Sequence, residues 1–139
     1  LNLERFITAQ APVYAQALAE LRAGQKQTHW MWFVFPQMMG LGQSSASRAY
    51  GIQSLNEARS YLAHPVLGTR LRECCQAVMN VRGKSAHDIF GTPDDVKFRS
   101  SLTMFTEAAP QELMFFNLLE KYFDGEPDEA TLELLTYEE

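Results

Sequence analysis

The chain has little of what usually announces a chemistry. Among its 139 residues are two cysteines and three histidines. Cys74 and Cys75 are adjacent, so they cannot staple distant segments, and no cysteine and histidine group has zinc spacing. No metal site is expected. Twelve lysines and arginines face 17 acids, a formal net charge of -5, which excludes the cationic surplus of a general nucleic-acid binder. The longest apolar run, Trp30 to Phe35, falls far short of the roughly 20 residues that span a bilayer. No basic stretch followed by an apolar one opens the chain, and the expected location is the cytoplasm. There is no internal repeat, no polar low-complexity tract and no second strand-like run to pair with the first.

What is present suits one packed core. Hydrophobic residues make up 46% of the chain and aromatics 12%, and two cores would leave each half too small for comfort. Residues 1–139 are therefore expected to form a single domain.

The local signals read as helix. Leu3 to Ala9 follows Asn2, a capping residue type, and Pro12 suits the first turn of a second helix stopped at Gly24, with Val13, Ala17, Leu18 and Leu21 as its buried stripe. Trp30 to Phe35 is apolar at every position, so periodicity leaves helix and strand open. A lone strand would leave its backbone groups unsatisfied, which decides for a buried helix ended by Pro36. Gln37 to Ser47 should be a loop, with a short helix opening near Ser44 or Ser47. Ser54-Leu55-Asn56-Glu57 is a capping box, and Pro65 is placed to open a long helix to about Val81 after His64 as its cap. Leu67, Leu71, Cys74 and Val78 share a face of that helix, making Cys74 a small buried hydrophobe. Ser85 to Phe90 supplies a further turn or two. Thr92 and Pro93 signal the start of a helix with Asp94 and Asp95 at the positive end of its dipole and Phe98, Leu102 and Phe105 inward. Glu112 to Phe123 is predicted to bury Leu113, Phe116, Leu119 and Phe123, and Asp128 caps a last helix to Leu135. The expected fold is all-α, a bundle of seven to eight helices with no significant sheet.

Chemistry concentrates between Lys26 and Tyr50. Each ring of the aromatic run could bury roughly 150 Å² or more, so most belong to the core, leaving one indole, Trp30 or Trp32, partly exposed with its N–H seeking a partner. The loop that follows carries Gly40, Gly42, Ser44 and Ser47. Two glycines let backbone N–H groups converge, and hydroxyls at a helix start suit an anion. It matches neither common phosphate motif: Ser45 stands where a third dinucleotide-loop glycine belongs, and no Lys-Ser/Thr pair follows. Gln37 is a candidate for orienting hydrogen bonds, and Lys26, Arg48 and Tyr50 could complete an anion site. His29 is a candidate base or ligand contact. One helical turn separates Lys97 from Ser101, the spacing of a Ser-Lys nucleophile pair, and equally from Asp94, the spacing of a solvated ion pair. The carboxylates Glu20, Glu57 and Asp94 declare no dyad.

The wording of Thr28 to Gln37, followed by Gly40-Leu41-Gly42 and Ser44, resembles the signature of an uncharacterised bacterial family catalogued as domain of unknown function 1810. The resemblance runs on through Glu57-Ala58, Tyr61 to Gly68, Arg70-Leu71, Ile89-Phe90-Gly91 with Asp94, and Lys97 to Phe105, nearly the whole chain. It implies a compact, mainly helical domain and no established activity. Members sometimes carry a calpastatin-like label, but that inhibitor is an extended, disordered chain, the opposite physical type from a sequence this rich in apolar residues.

Two functions from different classes follow. In the first, the aromatic segment and glycine-serine loop form a pocket for a small anionic metabolite, a nucleotide or ADP-ribose-like compound, held by Lys26, His29, Trp30, Trp32, Gln37, Gly40, Gly42, Ser44, Ser47 and Arg48. The cofactor is unknown and catalysis is left open, with His29, Lys97 and Ser101 as its weak candidates. In the second, an exposed surface such as Met38-Met39 binds a protein partner or a second copy of the chain, without catalysis. A concave pocket with convergent polar groups would favour the first, a flat apolar patch the second.

Overall fold

The structure, a computed structural model, describes residues 2–136. Among these described residues ten helices follow one another: α1 (Glu4–Gln10), α2 (Tyr14–Ala23), α3 (Met31–Val34), α4 (Ser45–Tyr50), α5 (Leu55–Ala63), α6 (Leu67–Asn80), α7 (Ala86–Phe90), α8 (Asp94–Ala108), α9 (Leu113–Phe123) and α10 (Glu129–Thr136). The class is all-α as expected. The count exceeds seven to eight because α3, α4 and α7 are helices of one or two turns, each cut short by a local breaker: Pro36, Gly51 and Gly91.

The bundle is organised around α8, which packs against α5, α7, α9 and α10. Phe98 and every residue from Ser100 to Phe105 are buried, so this helix has almost no solvent face in its middle. The core is one connected cluster from Phe6 to Leu135. Its aromatic centre joins Phe35, Phe90 and Phe98, with Phe90 and Phe98 stacked at 4.5 Å between centroids. The α5–α6 corner is closed by Gly68, where a Cβ would lie 2.1 Å from the Leu62 carbonyl oxygen. No side chain fits there.

Most boundaries follow their local residues. Gly24 is left-handed at the end of α2, Ser44 and Ser54 cap α4 and α5, and the Asp128 carboxylate accepts from the Thr131 amide at 2.9 Å as α10 begins. His64 caps the long helix, its Nδ1 accepting from Val66 and Leu67 at 3.1 and 3.3 Å. That moves the helix start to Leu67, beyond Pro65.

Three expectations are corrected. Asn2 does not cap α1 with its side chain; Leu3 occupies that position, and the Asn2 carbonyl accepts from Arg5 instead. Thr92 does not cap α8, because its hydroxyl is paired with His87 Nδ1 at 3.0 Å. In α9, Leu113 and Phe116 are 62% and 41% exposed, while Phe115, Leu118 and Leu119 are buried. Leu113 to Phe116 is apolar on all sides, so two helical registers fit. Phe115 stacking on Phe105 at 5.5 Å selects the second.

Among the described residues no strand forms. One parallel bridge, Met38 to Ile52, remains: Met39 N donates to Ile52 O at 2.7 Å and Ile52 N to Gln37 O at 2.8 Å. It closes the neck of the 37–52 segment. Arg5 holds that segment from outside, donating to Ala49 O and Gly51 O at 3.0 and 2.9 Å and pairing with Glu57 at 3.3 Å.

Candidate functional site

The aromatic segment divides its residues between core and surface. α3 has only four residues, so its carbonyls need partners from elsewhere. Buried Gln10 supplies one, donating to Phe33 O at 2.6 Å and to the Tyr61 hydroxyl at 2.9 Å. Trp30, Met31, Val34 and Phe35 are buried, and Trp32 and Phe33 are half-buried.

Trp30 is fully enclosed, and its indole N–H donates to Glu20 Oε1 at 2.9 Å. Glu20 itself is buried and collects the Gln27 and Thr28 amides at 2.8 and 3.0 Å, the Thr28 hydroxyl at 2.6 Å and Gln16 Nε2 at 3.0 Å. Burial pushes its carboxyl up. The donors, led by the Thr28 hydroxyl and the Gln27 amide, outweigh that and lower it from 4.5 to about 2. Glu20 is thus an ionised structural hub that ties α2 to the aromatic segment.

Trp32 faces the other way, into a cleft of about 340 Å³. Its first wall is the pinned 37–52 segment, contributing Gln37, Met38, Gly42, Ser47 and Tyr50. The second is the start of α8, with Val96, Lys97 and Ser100, and the floor is closed by Asp128 and Ala130 at the start of α10. The loop folds back onto α4 closely at Gly42, where a Cβ would lie 2.4 Å from Ser47 Oγ and displace that side chain. Tyr50 is held from behind by Phe33, with centroids 5.3 Å apart.

Among the described residues that line the cleft, Lys97 is the one cation and Asp128 the one anion. Asp128 Oδ2 is engaged by the Thr131 amide and, at 2.6 Å, the Thr131 hydroxyl. The Lys97 ammonium stands 3.3 Å above the Trp32 ring, a cation–π contact. Its ionic partner is Asp94, at 3.5 Å. Asp94 is already paired more closely, at 2.8 Å, with Lys26, whose side chain is 6% exposed and also donates to Thr28 O at 2.6 Å. Two lysines therefore share one carboxylate, and the looser of them reaches the cleft. The neighbouring Asp95 lies 3.6 Å from His87 and does not line it.

Of the residues expected to bind a ligand, Trp32, Gln37, Gly42 and Ser47 meet in this cleft, and so does Lys97. The others stand elsewhere. Lys26 is buried against Asp94, Trp30 is in the core, and His29 is exposed. Gly40 packs near Leu134. Ser44 spends its hydroxyl on the α4 cap, and exposed Arg48 lies by Arg5, Gln53 and Glu57 in a separate depression. The Ser-Lys pair is not formed: Ser101 is buried and its hydroxyl has no hydrogen-bond partner. Thiol chemistry is not favoured either, since burial pushes Cys74 up to about 12 and raises Cys75 too. No group of three His, Cys, Asp or Glu among the described residues is placed to hold a metal ion.

Sequence reading does not assign Val96, Ser100 and Asp128 to the site: Val96 and Ser100 flank Lys97 on α8 without a polar motif of their own, and Asp128 reads only as a helix cap. It named Glu20 without its role. The signal for that role was an acid within the buried stripe beside Leu21.

Fold and geometry define an all-helical domain with a small cleft built around a lysine-covered indole. The chain belongs to the family described as protein of unknown function DUF1810, which matches residues 1–135. It is similar to the crystal structure of the conserved hypothetical protein Rv1873 from Mycobacterium tuberculosis, with 52% sequence identity, a TM-score of 0.96, and coverage of 97% of this chain and 96% of that one. A search of curated proteins returned no match. Among the described residues, no helix is long and apolar enough to cross a membrane.

Proposed function

We propose that the cleft binds a small anionic metabolite carrying a planar ring, a compound of mononucleotide class. The observation that supports it most is the placement of the Lys97 ammonium over Trp32 within a largely apolar cleft, with Asp94 already neutralised by Lys26. A ring would lie between Trp32 and Tyr50, its polar edge within reach of Gln37 and Ser47, and its anionic group would meet Lys97. A volume of about 340 Å³ is at the low end of the roughly 300–1,000 Å³ usual for ligand sites. That favours a mononucleotide over a full ADP-ribose.

A thermal-shift screen against AMP, ADP-ribose, NAD and sugar phosphates tests this. A ligand at 100 times its dissociation constant stabilises by about 2.7 kcal/mol, and Trp32→Ala should abolish the shift while still folding. No shift with any of these compounds would sink the reading.

A second reading rests on Leu113 and Phe116, two large apolar side chains exposed one turn apart on α9. They suit self-association better than Met38-Met39, of which Met38 is buried. Sedimentation at rising concentration, with Phe116→Ser as control, separates the two readings.

A further inference from the structure

Lys97 has a property that ordinary ion-paired surface lysines lack: its carboxylate partner does not depend on it alone. Asp94 keeps Lys26 at 2.8 Å whether or not Lys97 stays at 3.5 Å, and Lys26 is held in place by the Thr28 carbonyl and by the face of Trp30, 4.9 Å from its ring centroid. Departure of Lys97 therefore leaves no buried charge uncompensated. The Trp32 ring loses only its cover. A flexible four-carbon stem rooted one turn into a 15-residue helix lets the ammonium move without the backbone moving.

The position it now occupies is the one a planar ligand would need. Its ammonium sits over an indole that is half-buried in a cleft with Tyr50 as a further ring, and it is the only cation lining the cleft among the described residues. We infer that Lys97 is the specificity-determining residue of the site and works in two positions. Without ligand, its ammonium occupies the Trp32 face. With ligand, the planar ring takes that face and the ammonium turns to the ligand's anionic group. The cleft then selects compounds that carry both features, because a neutral ring must displace the lysine without giving it a new partner. This rests on the cleft reading above.

The test compares AMP with adenosine, which share the ring and differ in the phosphate. Their affinities are measured for the wild type, Lys97→Met and Lys97→Ala, while the two indole N–H signals are followed by NMR and assigned with Trp32→Phe. In the wild type, AMP should bind at least about tenfold tighter than adenosine and move the Trp32 signal, leaving that of Trp30 in place. Lys97→Met, which keeps the length and loses the charge, should weaken AMP about tenfold without weakening adenosine. Lys97→Ala, which uncovers the indole, should strengthen adenosine binding. If Lys97 were merely structural, both compounds would shift together in each variant, and that result overturns the assignment while leaving the cleft standing. If neither compound binds any of the three proteins and the Trp32 signal stays fixed, the cleft reading falls and this inference with it.

Discussion

Trp30 and Trp32 are two residues apart at the same short helix, yet each is held by a polar partner of the opposite kind. Trp30 offers the edge of its ring, an N–H, to the Glu20 carboxylate inside the core. Trp32 offers its face to the Lys97 ammonium at the rim of a cleft. The two arrangements differ most in how firmly each partner is held. Glu20 accepts from Gln16, Gln27, Thr28 and Trp30 together, a closed network with no room for substitution. Lys97 has one ring and one shared carboxylate, and its second position costs the fold little. A polar partner saturated by the protein builds structure, whereas one left partly committed is available to something else.

The sharpest way to break that contrast is at Glu20. Glu20→Ala should destabilise the protein by about 3–4 kcal/mol, because it strands the Trp30 indole N–H in the core and releases the turn at Gln27 and Thr28. Urea denaturation measures it. A loss below about 1 kcal/mol would mean that the hub is not structural. The same residue predicts an acid dependence. Its folded value, about 2, lies below the 4.5 of the free side chain, so its stabilisation is complete above pH 4.5 and is lost as pH falls toward 2. Wild-type stability should therefore fall more steeply across that window than that of Glu20→Gln, which has no charge to lose. Parallel curves would argue that the carboxylate is not held ionised.

The next largest effect sets the two indoles against each other. Trp30→Phe should cost about 2 kcal/mol, combining lost ring volume with an acceptor left short of a donor. Trp32→Phe should cost less than about 0.5 kcal/mol, since a half-buried ring is replaced by another ring, and its effect should appear in AMP binding instead. Equal losses of stability at the two positions would show that the cleft wall is as much core as Trp30.

How much of this could be read from the residues depends on the distance over which each feature is decided. Caps at Ser44, Ser54 and Asp128 and the left-handed stop at Gly24 are settled within one helical turn, and the sequence carries them plainly. The register of α9 was not available, because Leu113 to Phe116 is apolar in every direction and the choice is made by Phe105 on α8. The same limit shaped the site. Trp32, Gln37, Gly42 and Ser47 could be named together because they belong to one stretch. Charge alone groups Lys26 with them, but a long side chain has no direction in a sequence, and Asp94 draws it inward. Val96 and Asp128 required the fold itself.

The smallest predicted effect has the opposite sign. Ser101 is 1% exposed and its hydroxyl lacks a partner, while Thr103, two residues further along α8, both donates to Arg99 O at 2.8 Å and accepts from the Asp128 amide at 2.9 Å. An unpaired buried hydroxyl is a cost to folding, so Ser101→Ala should stabilise the protein by about 1 kcal/mol. The melting temperature would rise by a few degrees. Binding of AMP should be unchanged, because Ser101 does not line the cleft. A loss of binding in this variant would restore the serine as a partner of Lys97. A loss of stability would show that the hydroxyl is paired in solution, and α8 would then have no polar group at odds with its surroundings.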